Sequence, residues 1–182
     1  MKKKLNTTLL LFHKEIIMII RTLNFYTDGA YSSKSEMGGW ACICVEDGNV
    51  ISSHSGNEPY STNNRMELSG FLCALEQVNE IVSKNVEVNI FVDSAYLCNC
   101  INEKWYLNWL SNGWRTADRQ DVKNQDLWRR IVALYIKNSA RLAQVNVVKV
   151  KSHVKKNQTD ENTKWNSYAD LLAVKARKEL ED

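Results

Sequence analysis

Two aspartates stand where apolar, β-prone runs give way to polar residues. Asp28 follows the run at residues 23–27, and Asp93 follows the run at residues 86–92. Ligands of open α/β sheets bind outside such strand ends, so the two aspartates would face each other if their strands were neighbours. At about 4 Å, two bare carboxylates repel by roughly 4 kcal/mol at an effective dielectric near 20.

Glu67 and Asp170 could reach the same place from two helices. Glu67 lies about one turn inside a helix that Ser61 or Thr62 can cap. Asp170 lies early in the predicted last helix. Four carboxylates in one small volume need protons or divalent cations. Oxygen ligands alone favour Mg²⁺, with Mn²⁺ as a plausible substitute.

Two such ions about 4 Å apart can activate a water molecule and stabilise the leaving oxygen of a phosphodiester. Taken singly, each acid also has a structural explanation. Asp28 can form a turn before Gly29, Asp93 can cap the helix that follows it, and the other two can be solvated helix residues. The metal site is therefore a hypothesis, which requires the fold to bring the four acids together.

The elements that must bring these acids together form an α/β pattern. Three β-prone runs come first, and the turn-forming residues 46–49 predict a hairpin between the second and the third. Strands then alternate with helices, which requires parallel pairing. We expect a mixed five-stranded sheet, three antiparallel strands followed by parallel ones, with helices on both faces. The strands are predicted at residues 23–27, 40–45, 50–55, 86–92 and 145–150, and helices near 62–78, 94–100, 124–137 and 166–180.

The 182 residues, of which 44% are apolar and 25% charged, predict one globular domain. Residues 1–22 are predicted to be a disordered or loosely helical N-terminal extension, with Met18 as an alternative start, and residues 23–182 the domain. The apolar pieces of the extension are too short to span a bilayer. Five cysteines match neither a disulfide framework nor a zinc site, and indicate small buried side chains in a cytoplasmic protein. A net charge of +3 does not by itself identify a polyanionic partner.

Six stretches, in order along residues 23–180, resemble the ribonuclease HI family. They are YTDGA (26–30), STNNRMEL (61–68), VDSAY (92–96), NWLSNGWRTADRQDVKNQDLW (108–128), VKVKSHV (148–154) and NSYADLLA (166–173). The resemblance implies a ribonuclease H-like fold. It also implies a two-metal, Mg²⁺-dependent endonuclease that hydrolyses the RNA strand of RNA/DNA hybrids and leaves 5′-phosphate and 3′-hydroxyl ends. We expect a monomer that binds no membrane.

The resemblance also implies roles for individual residues. The metal-binding and catalytic acids are Asp28, Glu67, Asp93 and Asp170. His153 matches a loop histidine that assists proton movement or product departure. The residues expected to bind the hybrid are Thr62, Asn63, Asn64, Trp105, Trp109 and Asn166. We expect Trp114 and Trp128 to pack internally.

The alternative is a hybrid-binding module without turnover. The predicted protrusion after Trp109 has few lysines, and its arginines are offset by aspartates such as Asp118 and Asp121. Its grip on a nucleic acid could therefore be weak. A nuclease of the same wider fold acting on DNA junctions is a third possibility, which the TNNRMEL and WRTAD stretches disfavour.

Overall fold

Five strands form one mixed sheet in the computed structural model, which describes residues 21–151 and 160–180. The strands are β1 (Arg21–Ser32), β2 (Met37–Glu46), β3 (Asn49–Pro59), β4 (Val86–Val92) and β5 (Gln144–Lys149), and their order in the sheet is β3-β2-β1-β4-β5. The pairs β1/β2 and β2/β3 are antiparallel, whereas β1/β4 and β4/β5 are parallel. The predicted fold class is confirmed.

Helices cover both faces of the sheet, as expected. They are α1 (Asn63–Asn79), α2 (Ala95–Asn102), α3 (Trp105–Ser111), α4 (Gln125–Arg141) and α5 (Glu161–Lys178). Helix α5 lies across β1, β2 and β3 on one face, where its Trp165 and Ala169 pack with Tyr26 of β1. Helix α1 lies on the opposite face beneath α4, and this side holds the larger apolar core.

The larger core explains the positions of the tryptophans. Trp114 and Trp128 are buried in it, so the prediction that both pack internally is confirmed. Trp109 is buried beside them, with ring centroids 6.1 Å from Trp114 and 5.2 Å from Trp128. Trp105, at the start of α3, lies at the surface. Of these four tryptophans, Trp105 is therefore the most exposed.

Strand β1 is longer at both ends than the sequence predicts. It begins at Arg21, two residues inside the predicted extension, and continues four residues past Asp28 to Ser32. The continuation is stabilised by antiparallel pairing with β2, which runs as far as Ser32 opposite Met37. Asp28 is therefore inside a strand. The expected strand end exists only on the β4 side, where parallel pairing stops at Thr27 opposite Val92.

Helix α5 begins five residues earlier than the predicted start at residue 166. Asp160 is its N-cap, and its carboxylate accepts a hydrogen bond of 2.7 Å from the backbone N–H of Thr163. Asp170 consequently lies in the middle of the helix, and the expectation that it lies early is wrong. The β2/β3 turn is as predicted, because Asp47 and Gly48 both have positive φ (49° and 75°), as a two-residue hairpin turn requires.

Candidate active site

Asp28 and Asp93 lie on adjacent strands at the place where their parallel pairing ends. Thr27 is the register partner of Val92, and the residue after each of them is an aspartate. Asp28 is only 4% exposed, and its Oδ1 accepts a hydrogen bond of 2.9 Å from the backbone N–H of Gly29. Asp93 is partly exposed. The predicted neighbouring strands do bring these two carboxylates together.

Helix α1 carries Glu67 to the same place. The helix begins after Thr62, whose hydroxyl accepts a hydrogen bond of 3.2 Å from the N–H of Arg65. Glu67 is one turn further on and 5% exposed. Its position depends on Gly29, because a Cβ atom at Gly29 would lie 2.4 Å from the Glu67 nitrogen. Glycine therefore permits α1 to approach β1 closely enough for the acids to meet.

Three carboxylates form a tight group at this contact. One oxygen each of Asp28, Glu67 and Asp93 lie within 4.8 Å of one another. Asp170 is outside that group, but its charge adds to the rise in the pKa of Asp28. All four line one cleft of about 210 Å³, whose walls are Asp28, Gly29, Asn63, Glu67, Asp93, Asn166, Ser167 and Asp170.

Burial and mutual repulsion raise the pKa values of Asp28 and Glu67. The pKa of Asp28 rises from 3.8 to about 8, mainly through burial and then through the Asp93 charge, while the Gly29 N–H acts in the opposite direction. Burial, followed by the Asp93 and Asp28 charges, raises the pKa of Glu67 well above its usual range. At neutral pH the cluster therefore retains protons unless cations replace them.

The donor set fits a hard divalent cation. All ligands offered by the cluster are carboxylate oxygens, which Mg²⁺ and Mn²⁺ prefer. Among the described residues, buried Oε2 of Glu67 has no hydrogen-bond partner, and buried Oδ1 of Asn166 has none either. Unpaired buried oxygens are costly, so a bound cation would satisfy groups that the protein leaves without donors.

The residues expected to bind a hybrid lie at two places. Thr62, Asn63 and Asn64 are exposed at the start of α1, and Asn63 lines the acidic cleft. The Nδ2 atom of Asn63 is 3.5 Å from Oε1 of Glu67. Asn166 lines the cleft from α5, one turn before Asp170, and is buried.

Trp105 and Trp109 line a separate cavity of about 610 Å³, which also includes Tyr96 and Arg115. Trp105 is 36% exposed, and its Nε1 donates a hydrogen bond of 2.9 Å to Glu103. Trp109 is only 7% exposed, although it also lines the cavity. The sequence treats the two tryptophans alike, whereas the structure gives them different environments.

Two residues of the cleft were not singled out by the sequence. Ser167 lines it, and its spacing of three residues before Asp170 on one helix was an available signal. Gly29 enters the sequence analysis only as the residue after a possible turn at Asp28, since a close approach between helix and strand leaves no pattern in the sequence. His153 lies outside the described residues.

Comparison with known proteins identifies the family. The RNase H family model matches residues 21–178. A ribonuclease H of Chlorobaculum parvum is 39% identical over 159 residues, which make up 87% of this chain and 97% of that protein. The chain therefore belongs to the RNase H family.

Solved structures share the fold. The solution structure of the PFV RNase H domain matches with a TM-score of 0.70 at 21% identity, over 87% of this chain and 96% of that one. The crystal structure of LC11-RNase H1 in complex with an RNA/DNA hybrid matches with a TM-score of 0.61 at 18% identity, over 88% and 99%. Within the described residues, no helix combines the length and apolarity that crossing a bilayer requires.

Proposed function

We propose that this protein is an endonuclease that hydrolyses the RNA strand of RNA/DNA hybrids with two Mg²⁺ ions, leaving 5′-phosphate and 3′-hydroxyl ends. The observation that carries the proposal is the group formed by Asp28, Glu67 and Asp93, whose oxygens lie within 4.8 Å of one another. Membership of the RNase H family supports the nuclease class. Mn²⁺ is the expected substitute.

The chain's own residues supply the binding and orientation of the metal. Asp28, Glu67 and Asp93 would hold the cations, with Asp170 on the cleft wall as a further ligand. The Gly29 N–H fixes the orientation of the Asp28 carboxylate before any ion arrives. Bound there, two divalent cations would activate the attacking water and stabilise the leaving oxygen.

Recognition of the hybrid is assigned to polar and aromatic groups around the cleft. Thr62, Asn63 and Asn64 offer hydroxyl and amide groups at its edge, and a ribose 2′-hydroxyl can both donate to and accept from such groups. Asn166 would assist from α5. Trp105 and Trp109 would contact the DNA strand. The hybrid-bound LC11-RNase H1 structure supports this substrate. His153 is proposed to assist proton movement.

Cleavage of labelled substrates tests the proposal. The protein should cut an RNA/DNA hybrid in Mg²⁺ or Mn²⁺, leave duplex DNA and duplex RNA intact, and lose activity in chelator. Asp93→Asn should abolish cutting, while Asp47→Asn, a matched change in the exposed β2/β3 turn, should not.

Two outcomes would refute the proposal. Cleavage of duplex DNA in preference to the hybrid would identify a different nuclease. Equal hybrid binding by wild type and Asp93→Asn, with no cleavage by either, would identify a binding module.

A further inference from the structure

One glutamine bridges two cysteines where α1 packs on β2. Cys42 is buried on β2, and Cys73 is partly buried on α1. The Nε2 group of Gln77 contacts both sulfurs, at 3.3 Å for Cys42 and 3.6 Å for Cys73. A single amide group therefore bridges the two thiols.

The packing of α1 on β2 brings the two backbones unusually close at this point. Gly70 lies one turn before Cys73, and a Cβ atom at Gly70 would lie 2.8 Å from the carbonyl oxygen of Ala41. Ala41 immediately precedes Cys42 on β2. Disulfides need Cα atoms roughly 4.4–6.8 Å apart, which ordinary helix-on-sheet packing seldom provides. The glycine contact brings helix and strand close together beside the two cysteines.

The bridging amide is itself held in place. The Ser52 hydroxyl on β3 donates a hydrogen bond of 2.6 Å to Oε1 of Gln77. This bond orients the amide so that its NH₂ group points toward the sulfurs. Gln77 thus acts as a fixed donor to both thiols.

The environment makes the two thiols unequal. Hydrogen bonds from Cys42 and Gln77 lower the pKa of Cys73, against the opposing effects of burial and the Glu76 charge. Burial, followed by the contact with Cys73, raises the pKa of Cys42 well above its usual range. Reactive cysteines are partly exposed thiolates with a second thiol nearby. Cys73 has the features of the attacking thiol, and Cys42 those of the resolving thiol.

We propose that Cys42 and Cys73 form an oxidisable thiol pair, a modification site that reacts with hydroperoxides to give a disulfide between β2 and α1. The Cys73 thiolate attacks one peroxide oxygen, the O–O bond breaks, and the departing hydroxide takes a proton to form water. The Cys42 sulfur then attacks the sulfenic sulfur, and the leaving hydroxide accepts the Cys42 proton as a second water. Hydrogen peroxide is reduced, and two thiols are oxidised. The inference is independent of the proposed nuclease activity.

Peptide mapping of the oxidised native protein tests this site. Trypsin cleavage after Lys34, Arg65 and Lys84 places Cys42 in peptide 35–65 and Cys73 in peptide 66–84. After brief hydrogen peroxide treatment and alkylation, a cross-link between the two peptides should appear, with the loss of two hydrogens. Because Cys44 shares the first peptide, Cys44→Ser is the matched control and should form the same cross-link. Cys42→Ala and Cys73→Ser should not.

Two further measurements complete the test. The cross-link closes a loop of about 30 residues, so it should raise the melting temperature by roughly 8 °C, reversibly with dithiothreitol. Cys42→Ala, which removes the S–H donor, should slow alkylation of Cys73 in the native protein several-fold. Modification of Cys73 to sulfinic acid without a cross-link, loss of the cross-link in Cys44→Ser, or a cross-link that lowers the melting temperature would overturn the inference.

Discussion

Asp28 and Asp93 are neighbours because Thr27 and Val92 are register partners in the parallel pair β1/β4. The two aspartates come from positions 65 residues apart, and a shift of register by one residue would turn one of them to the opposite face of the sheet. Backbone pairing therefore determines the geometry of the acidic group, and Glu67 completes it from α1. The stability cost of this concentration of acids, and the contacts that hold it in place, can be tested by substitution.

Glu67→Gln should separate metal binding from folding. The substitution removes one carboxylate from the cluster, so Mg²⁺ affinity and hybrid cleavage should fall by about 100-fold or more. Stability in chelator should be unchanged or higher, because an acid with a raised pKa is replaced by a neutral amide of the same shape. Glu76→Gln, an exposed change on the same helix, is the control for calorimetric titration and urea unfolding. Unfolding of Glu67→Gln would show that this side chain has a structural role.

The stability of the metal-free protein should depend on pH through Asp28. Its pKa is about 8 in the folded protein and near 3.8 when unfolded, so the folded state retains a proton that the unfolded state releases. The proton on Asp28 should therefore contribute its full stabilisation below pH 4, and the free energy of unfolding should decline as pH rises toward 8. One such group contributes a slope of at most about 1.4 kcal/mol per pH unit.

Urea unfolding in chelator between pH 5 and pH 8 measures that slope. Saturating Mg²⁺ should flatten it, because cations replace the protons. Asp28→Asn should reduce it without added metal. A wild-type slope equal to that of Asp28→Asn would contradict the raised pKa.

Gly29→Ala should damage the site through packing. The added Cβ would lie 2.4 Å from the Glu67 nitrogen, so α1 must move away from β1 and carry Glu67 with it. We expect a loss of about 2 kcal/mol of stability and a large fall in cleavage rate. Gly113→Ala is the contrasting variant, since it has positive φ but no atom within 4 Å. That variant should lose about 1 kcal/mol and retain activity. Equal activity in the two variants would argue against the packing role.

Trp105→Ala and Trp109→Ala should have different effects. Trp105 lies at the surface, so its removal should weaken hybrid binding by roughly 10-fold while the melting temperature changes little. Trp109 packs between two other tryptophans, so its removal should destabilise the protein by about 3–5 kcal/mol. Hybrid titration and thermal unfolding of both variants distinguish these roles. Unchanged affinity in Trp105→Ala would remove it from the binding surface.

Arg141→Ala should destabilise the C-terminal end of α1. The Arg141 guanidinium donates to the carbonyl oxygens of Val78 at 2.9 Å and Asn79 at 3.3 Å, and to that of Ile81. These carbonyls end the helix and its following turn, so their loss of a charged donor should cost about 2 kcal/mol. Arg130→Ala removes an exposed pair with Glu76 and should cost less than about 1 kcal/mol. Similar urea midpoints for the two variants would contradict the capping role.

The sequence predicts the elements where burial leaves a local pattern. The sequence predicts β4 with its observed ends, since its buried apolar residues are bounded by polar residues on either side. The β2/β3 turn follows from the conformational preferences of Asp47 and Gly48. The extension of β1 beyond Asp28 could not be predicted in this way, because it depends on pairing with β2. The early start of α5 depends on the Asp160 cap, which precedes the apolar spacing that marks the helix.

The site shows the same division. The resemblance of local motifs predicted which acids lie at the cleft, and the structure brings Asp28, Glu67 and Asp93 together. Asp170 lines the same cleft from the middle of α5, outside this group. The sequence does not indicate that Gln77 bridges Cys42 and Cys73, because that contact depends on how α1 packs on β2.

The central position of β1 in the sheet has a consequence for the order in which the protein folds. Its antiparallel partner β2 follows it directly along the chain. Its parallel partner β4 lies 65 positions further on, as the hydrogen bond from Asn89 to Asn24 illustrates. Long-range pairings of this kind are slow to form compared with hairpins. A nascent chain that has emerged only as far as α1 carries Asp28 and Glu67 without Asp93. The acidic cleft therefore becomes complete only when β4 pairs with β1, and its concentrated negative charge forms only at that step.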